Sequence, residues 1–312
     1  MKVIRAEVLG FCEGVRRAVE MAWQVSSDEA LAAALPMETK ASPARARKVY
    51  TLGPLIHNSA FLDSLKERGV ICLEEEEILS APKNSTVIIR AHGVSPGVES
   101  ELSRCGMAIV DATCPHVKVS QRKAADYAAK GYRVFLAGEK NHAEIKAIMG
   151  YVQDAACGHG IVVSNPAEAD AAAEELCRSE PEEKTALKTA LIGQTTIRAE
   201  EYLDIGERLR RFFPSLEIVD SICEAAAERQ RALRKLCGEV DALVIVGSKE
   251  SANTRRLLSL ALEQGKPAWL AETAEGLPTG IGVYGTVGIS AGASTPDGLI
   301  DEVEEALKAL TL

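Results

Sequence analysis

Three cysteines stand where a strand-like run meets a helix-like run, a setting in which thiolates can hold a metal centre. Cys12 lies in LGFCEGV, Cys114 in DATCPHV and Cys223 in DSICEAA, at spacings of 102 and 109 residues. Gly138 follows Cys114 by 24 residues. Gly247 follows Cys223 by the same number of residues. This regular spacing predicts three repeated units, each of which contributes one thiol.

The first repeat fits the same pattern once an insertion is allowed for. Its matching glycine, Gly53, follows Cys12 by 41 residues, and most of the excess falls in an Ala/Ser/Pro-rich stretch at about residues 25–47. We interpret this stretch as a surface insertion in the first repeat. We therefore predict three α/β units, at residues 1–113, 114–219 and 220–312, the last with a C-terminal tail.

Three thiolates aimed at one centre suit an iron–sulfur cluster or a zinc ion. A cluster held by three cysteines leaves one iron without a protein ligand, and that iron can act on a substrate as a Lewis acid. None of the three belongs to a CxxC pair, which disfavours a zinc ribbon or a two-cluster ferredoxin. The alternative is three thiols that only pack in cores. We assign that packing role to the other five cysteines: Cys72, Cys105, Cys157, Cys177 and Cys237.

The elements that must position these thiols follow an α/β rhythm. Short runs rich in Val, Ile and Leu, such as STVIIRAHG and DALVIVG, alternate with longer amphipathic stretches such as EGVRRAVEMAWQV. Alternation of this kind predicts parallel sheets covered by helices on both faces, with ligands bound at the carboxyl ends of the strands. We expect three similar α/β units with mainly parallel sheets around a pseudo-threefold central cavity.

Polar side chains occupy further loops at strand ends. Histidines lie in LIHN, RAHGVS and KNHAE, and hydroxyl and amide donors lie in GSKESANT and AGAST. Donor-rich turns that open helices bind phosphate or diphosphate groups, although the same residue types also serve as N-caps. The candidate anion-binding residues are His57, His92, His142, Ser251, Asn253 and Ser294.

Glu144, two residues after His142, is a candidate proton donor. Burial beside a cluster and an anion would raise the pKa of its carboxyl group. The alternative is a solvated glutamate on a helix face. The His-x-Glu spacing is also half of a zinc deaminase signature, but the other half, P-C-x-x-C, is absent because the chain has Cys114 before Pro115.

The overall composition narrows the class of protein. A net charge of −9 disfavours a nucleic-acid partner, which needs basic surface. No apolar run reaches about 18 residues, so we expect no membrane span. The start, MKVIRAEVLG, is typical of a strand rather than a signal peptide. We expect a cytoplasmic protein whose eight cysteines are reduced or bind a metal.

An ordered series of segments resembles the LytB family of 4-hydroxy-3-methylbut-2-enyl diphosphate (HMBPP) reductases. The segments run from residue 10 to residue 296: GFCEGVRRAV, RAHGVSP, DATCPHV, NHAE, GQTT, SICEAAAERQ, GSKESANTRRL and AGASTP. The resemblance implies an iron–sulfur enzyme that removes the HMBPP hydroxyl group with two electrons and two protons. It implies isopentenyl and dimethylallyl diphosphate as products, in the last step of the non-mevalonate isoprenoid pathway.

The resemblance also implies a role for each matching position. Cys12, Cys114 and Cys223 would hold one [4Fe–4S] cluster, and the substrate hydroxyl would bind its open iron. Thr195 would contact that hydroxyl and help Glu144 to deliver protons. The implied diphosphate ligands are His57, His92, His142, Ser251, Asn253 and Ser294, with His142 also counted among the catalytic residues. The implied electron donor is a ferredoxin or a flavodoxin.

Some positions depart from the family pattern. Ala143 stands where many members have proline, and Ala252 stands where serine is common. After Cys223, where Thr or Asn is frequent, the chain has Ala225, Ala226 and Ala227. These departures bear on affinity and substrate range rather than on the class of reaction.

Two other functions fit the same residues. A hydro-lyase would use the open iron without net redox chemistry and would need no electron donor. An iron–sulfur sensor would not need Glu144 or the Thr195 hydroxyl. A zinc hydrolase is a third alternative, and its lack of visible absorption separates it from the others.

Overall fold

The computed structural model describes residues 1–26, 48–56, 58–180 and 187–310. The predicted insertion at 25–47 lies outside these residues, apart from its first two positions. Within the described ranges, no helix combines the length and the apolar character needed to cross a bilayer.

Short strands alternate with longer helices along the described chain. The strands are β1 Lys2–Arg5, β2 Val49–Leu52, β3 Val70–Leu73, β4 Thr86–Ile89, β5 Ala108–Asp111, β6 Arg133–Ala137, β7 His159–Val163, β8 Thr189–Gly193, β9 Glu217–Ile218, β10 Ala242–Val246, β11 Ala268–Ala271 and β12 Thr286–Ala291. The α-helices are α1 Glu13–Val25, α2 Ser59–Glu67, α3 Pro96–Arg104, α4 Pro115–Ala129, α5 Ala143–Asp154, α6 Pro166–Ser179, α7 Ala199–Phe212, α8 Glu224–Cys237, α9 Ala252–Glu263 and α10 Asp297–Ala309. Short 3₁₀ segments lie at Glu75–Ser80, Ala274–Gly276 and Ile281–Val283.

The strands form three four-stranded sheets in which every pair is parallel. The orders are β3-β2-β4-β5, β7-β6-β8-β9 and β11-β10-β12-β1. Each sheet therefore places its second strand at an edge and its first strand inside, and the same order occurs three times. The predicted α/β class, with parallel sheets and three similar units, is confirmed. The arrangement of these units around a central cavity stays a prediction.

The N-terminal strand differs from the predicted grouping. β1 lies in the first predicted segment, residues 1–113, but it pairs with β12 in the third, from Lys2 opposite Thr286 to Arg5 opposite Ile289. Pairing over such a sequence distance leaves no local signal, which is why the repeat spacing did not reveal it. The three predicted segment boundaries are otherwise untested.

By contacts between residues the chain divides into two compact units. One, which we call the terminal unit, comprises Met1–Val19, Ile56–Glu67 and Glu224–Leu312. The other, which we call the middle unit, comprises Glu20–Leu55 and Arg68–Cys223. The terminal unit contains the β11-β10-β12-β1 sheet, and the middle unit contains the other two sheets.

The sheet of the terminal unit is covered on both faces. All five residues of β10 are buried, and their side chains alternate between two cores. Leu243 and Ile245 pack with residues of α8 and α9, whereas Val244 and Val246 pack with residues of α10. Burial on both faces explains the continuous Val/Ile/Leu run, because neither face of this strand meets water.

The β7-β6-β8-β9 sheet of the middle unit is covered in the same way. Leu191 of β8 packs with α6 and α7, and its neighbour Ile192 packs with α4 and α5. The Tyr202 hydroxyl of α7, which is buried, lies 2.8 Å from the Leu191 carbonyl and 2.7 Å from the Val219 carbonyl. Burial raises the pKa of Tyr202 far above its ordinary value, so the hydroxyl stays protonated and can donate. This contact fixes α7 against the end of the sheet.

Candidate functional site

The predicted metal ligands occupy equivalent places in the chain. Cys12, Cys114 and Cys223 each come directly before a helix, respectively α1, α4 and α8. All three are half-buried thiols outside any disulfide. The positive end of a helix dipole stabilises a thiolate, so each turn favours the form of cysteine that binds metals. The described residues contain no group of three or more His, Cys, Asp or Glu placed to hold a metal ion.

Cys12 lies on a tight turn of the terminal unit. Gly10 begins this turn with a φ of 75°, in the left-handed region that suits glycine. The Cys12 backbone N–H donates to the Ala293 carbonyl at 3.1 Å, and its Sγ accepts from the Val15 N–H at 3.4 Å. The thiol is thus held at the first turn of α1, as its position before a helix predicts.

Cys114 lies on the corresponding turn of the middle unit. Its backbone N–H donates to the Ala91 carbonyl at 2.9 Å, which ties it to the residue before His92. Pro115 occupies the first position of α4, where the missing N–H costs nothing. The sequence therefore fixes both the start of the helix and the place of the thiol.

Cys223 is tied to the predicted catalytic residue Thr195. The Cys223 backbone N–H donates to the Thr195 carbonyl at 2.8 Å. The structure thus brings one predicted metal ligand and one predicted catalytic residue into direct contact within the middle unit.

Glu144 and Thr195 form a buried hydrogen-bonded pair. The Thr195 backbone N–H donates to Glu144 Oε1 at 2.6 Å, and the Thr195 Oγ1 hydroxyl lies 2.9 Å from Glu144 Oε2. Glu144 is 1% exposed, so the solvated alternative for this residue is wrong. A backbone N–H can only donate, so Oε1 is a fixed acceptor. A hydroxyl can donate or accept, which leaves Oε2 as the oxygen that can exchange a proton with Thr195.

His142 and His92 meet at the ends of two different sheets of the middle unit. Their ring centroids lie 5.0 Å apart, with the planes at 86°. His142 is the N-cap of α5, and its Nδ1 accepts from the Glu144 N–H at 3.2 Å. Because Nδ1 accepts, the ring proton of neutral His142 lies on Nε2, which can donate to an anion. Capping and ligand binding are therefore compatible roles for this histidine.

A second polar loop lies in the terminal unit at the start of α9. Ser251 is the N-cap, and its Oγ accepts from the Thr254 N–H at 3.4 Å and lies 3.4 Å from Ser294 Oγ. Asn253 is 5% exposed, and its Nδ2 is a buried donor with no hydrogen-bond partner among the described residues. A buried amide donor at a helix N-terminus is matched to an anionic ligand. His57, the remaining predicted ligand, lies outside the described residues.

The backbone of this loop is closely packed against Thr254, which is fully buried. A Cβ placed on Gly292 would lie 2.1 Å from Thr254 Oγ1, and one on Gly247 would lie 2.9 Å from the same atom. Glycine is required at both positions because no side chain fits there. The glycines found by the repeat thus allow two strand ends to approach the start of α9.

Two side chains near the predicted site escaped the sequence reasoning. Gln194 is fully buried, and its Oε1 accepts from the Glu139 N–H at 3.1 Å, which fixes the loop that leads to His142. Arg90 packs its guanidinium against Gly53, and burial lowers the pKa of that guanidinium. Their signals are adjacency in the motifs GQTT and RAHG, since each lies within two residues of a predicted site residue.

Comparison with protein families gives one match that spans nearly the whole chain. The sequence profile of the LytB protein family matches residues 3–308. A 4-hydroxy-3-methylbut-2-enyl diphosphate reductase of Treponema denticola is 42% identical over 309 residues, covering 98% of this chain and 99% of the relative. A reductase of the same name from Aquifex aeolicus is 37% identical over 310 residues, covering 99% of this chain and 96% of the relative.

Two solved structures resemble the fold over its full length. The E-1-hydroxy-2-methyl-but-2-enyl-4-diphosphate reductase of Plasmodium falciparum matches with a TM-score of 0.83 and 25% identity, covering 100% of this chain and 88% of that one. An (E)-4-hydroxy-3-methyl-but-2-enyl diphosphate reductase, described as the terminal enzyme of the non-mevalonate pathway, matches with a TM-score of 0.66 and 35% identity. The match covers 99% of this chain and 100% of that structure.

Proposed function

Since the chain belongs to the LytB family, we propose that it is an HMBPP reductase that ends the non-mevalonate isoprenoid pathway. The proposed reaction takes up two electrons and two protons, breaks the C–O bond of the HMBPP hydroxyl and releases water. The products are isopentenyl and dimethylallyl diphosphate. The observation that supports this reaction best is the buried Glu144–Thr195 pair, a proton-holding site within the unit that also carries His92 and His142.

The proposed cofactor is a [4Fe–4S] cluster with Cys12, Cys114 and Cys223 as its ligands. The donor set fits, because three half-buried free thiols each stand at the positive end of a helix. When bound, a cluster with an open iron supplies electrons and Lewis-acid polarisation of the C–O bond.

The diphosphate group is proposed to bind the polar loops. Ser251, Asn253 and Ser294 offer two hydroxyls and a buried amide donor at the start of α9. His92 and His142 offer ring N–H groups in the middle unit. Hydrogen bonds to a charged partner are about twice as strong as those between neutral groups, so this set can hold a diphosphate without lysine.

Proton delivery is proposed to run from Glu144 through Thr195. A proton held on Glu144 Oε2 can pass to Thr195 Oγ1, which in turn gives its own proton to the leaving hydroxyl group. The backbone N–H on Oε1 keeps the carboxyl group in one orientation during this transfer. A positioned general acid contributes about 10²–10⁴-fold to a rate.

The electron donor is proposed to be a ferredoxin or flavodoxin, because the sequence has no nicotinamide or flavin motif of its own. We also propose a cytoplasmic location. All eight cysteines are free, and free thiols persist in a reducing compartment.

The test is anaerobic purification with iron and sulfide analysis, followed by turnover of HMBPP with a reduced one-electron dye. We expect a brown protein with about four irons per chain that oxidises the dye only when HMBPP is present. A brown protein that converts HMBPP without oxidising dye would favour the hydro-lyase. A brown protein that ignores HMBPP would favour the sensor. A protein that stays colourless after reconstitution would overturn the cluster.

A further inference from the structure

We propose that Arg229 of α8 is a positioning residue that fixes the turn carrying Cys12. This inference rests on the proposed function, in which Cys12 is a ligand of the cluster. Arg229 is 3% exposed, so its guanidinium is part of the interior of the terminal unit.

The guanidinium group joins two backbone carbonyls. Nη1 donates to the Ala225 carbonyl at 2.7 Å, one turn earlier on the same helix. Nη2 donates to the Gly10 carbonyl at 2.8 Å, across 219 residues of sequence. The first contact orients the side chain on its own helix. The second holds the carbonyl two residues before Cys12.

The Gly10 turn is also held from other directions. Cβ placed on Gly10 would lie 3.0 Å from both Asp297 Oδ1 and Ile300 Cδ1 of α10, so the turn packs closely on that helix. Cys12 itself donates its N–H to the Ala293 carbonyl. With Arg229 on the Gly10 carbonyl, α8, α10 and the Ala293 loop together determine where the thiol of Cys12 lies.

The chemistry of the side chain favours positioning over simple stability. Burying a guanidinium requires loss of its hydration, and apolar replacements of buried charges are often as stable or more stable. The planar guanidinium, however, carries several N–H donors in a rigid arrangement, which a lysine ammonium cannot match. A residue retained for geometry must therefore be judged by the behaviour of Cys12 rather than by unfolding alone.

The experiment compares Arg229→Gln and Arg229→Lys with the matched control Arg231→Gln. Arg231 lies on the same helix but is exposed, where it pairs with Glu224. The metal-free, reduced full-length proteins are treated with iodoacetamide, and the alkylation rates of Cys12 and Cys114 are measured separately by peptide mass spectrometry. Cys114 belongs to the middle unit and reports on general loosening.

We expect Arg229→Gln to raise the alkylation rate of Cys12 roughly tenfold, since the turn loses a charge-assisted hydrogen bond. The rate at Cys114 should stay within about twofold of that of the unmodified protein. Arg229→Lys should show a smaller increase at Cys12, because one of the two carbonyl contacts can be kept. In reconstituted protein, Arg229→Gln should also alter the electron paramagnetic resonance spectrum of the reduced cluster, whereas Arg231→Gln should not.

Three results would overturn the proposal: an unchanged rate at Cys12, an equal increase at Cys12 and Cys114, or the same increase in Arg231→Gln. If Arg229→Gln does not fold, Arg229→Lys decides between the same outcomes. Failure of the proposed function is distinguishable, because an unmodified protein that binds no iron would remove the cluster while the alkylation rates still report on the Cys12 turn.

Discussion

Two buried polar sites of this molecule differ in whether the protein satisfies its own hydrogen bonds. In the Glu144–Thr195 pair, both carboxyl oxygens have partners on the same threonine. In the loop at the start of α9, the amide nitrogen of Asn253 is equally buried but has no partner among the described residues. A satisfied buried group keeps its geometry with or without ligand, whereas a buried donor without an acceptor is expected to gain one on binding. The first site is therefore preorganised for proton transfer, and the second is suited to recognising an anion.

The largest effect that this contrast predicts is on the rate. Glu144→Gln removes the proton that Oε2 can transfer, so turnover of HMBPP should fall about 10²–10⁴-fold. Iron content should stay the same, because Glu144 is not a proposed ligand. Asp154→Asn is the control, since Asp154 lies exposed at the end of the same helix and should leave turnover unchanged. Turnover in Glu144→Gln close to that of the unmodified protein would remove Glu144 from the mechanism.

The second effect falls on binding. Asn253→Ala should raise KM for HMBPP roughly 10–100-fold, the equivalent of one hydrogen bond to a charged group, with a much smaller change in kcat. The variant should not unfold at a lower temperature, because it removes a buried donor that has no partner. Steady-state kinetics and thermal unfolding check both statements, with Gln264→Ala, exposed at the end of α9, as the control. A fall in kcat at constant KM would contradict the distinction between the two sites.

The third effect concerns stability of the loop itself. Gly292→Ala should lower the free energy of unfolding by about 1–3 kcal/mol, since its Cβ would overlap Thr254 Oγ1 in a well-packed interior. Gly298→Ala is the matched control, because a Cβ there meets nothing within 4 Å and replaces a glycine of α10. Urea denaturation should show the control to be as stable as the unmodified protein or more so. Adding Thr254→Ala to Gly292→Ala should recover part of the loss, and strict additivity would contradict the overlap.

The smallest effect separates the two contacts on Glu144. Thr195→Val removes the hydroxyl but keeps the backbone N–H that holds Oε1, so kcat should fall only about tenfold. Thr195→Ser restores the hydroxyl and should approach the turnover of the unmodified enzyme. Equal turnover in Thr195→Val and Thr195→Ser would show that protons reach the substrate from Glu144 by another route.

The sequence anticipated the parts of this fold that have a local signal. Alternating Val/Ile/Leu runs predicted buried parallel strands such as β10, and a thiol before each helix was visible in the spacing of Cys12, Cys114 and Cys223. Glu144 was found through its distance from His142. The partner of Glu144 was not: Thr195 is 51 residues away, and it was suggested by family resemblance alone.

Side-chain contacts over long sequence distances account for what was missed. Arg90 on Gly53, Gln194 on the Glu139 N–H and Arg229 on the Gly10 carbonyl each join residues that no periodicity relates. The pairing of β1 with β12 is of the same kind. Hydrophobic patterns determine which residues are buried, but they do not state which buried groups meet.

The position of β1 in the last sheet has a consequence for synthesis of the protein. β1 leaves the ribosome first, but its neighbour β12 is made more than 280 residues later. At bacterial elongation rates of about 5–20 residues per second, this strand waits on the order of 15–60 s for its partner. During that interval the carbonyl of Ala293 and the guanidinium of Arg229 do not yet exist for long stretches of the process, so the Cys12 turn forms last. Two thiols of the middle unit can be in place during translation, whereas the third is placed only as the chain is completed, which makes insertion of the proposed cluster a post-translational event.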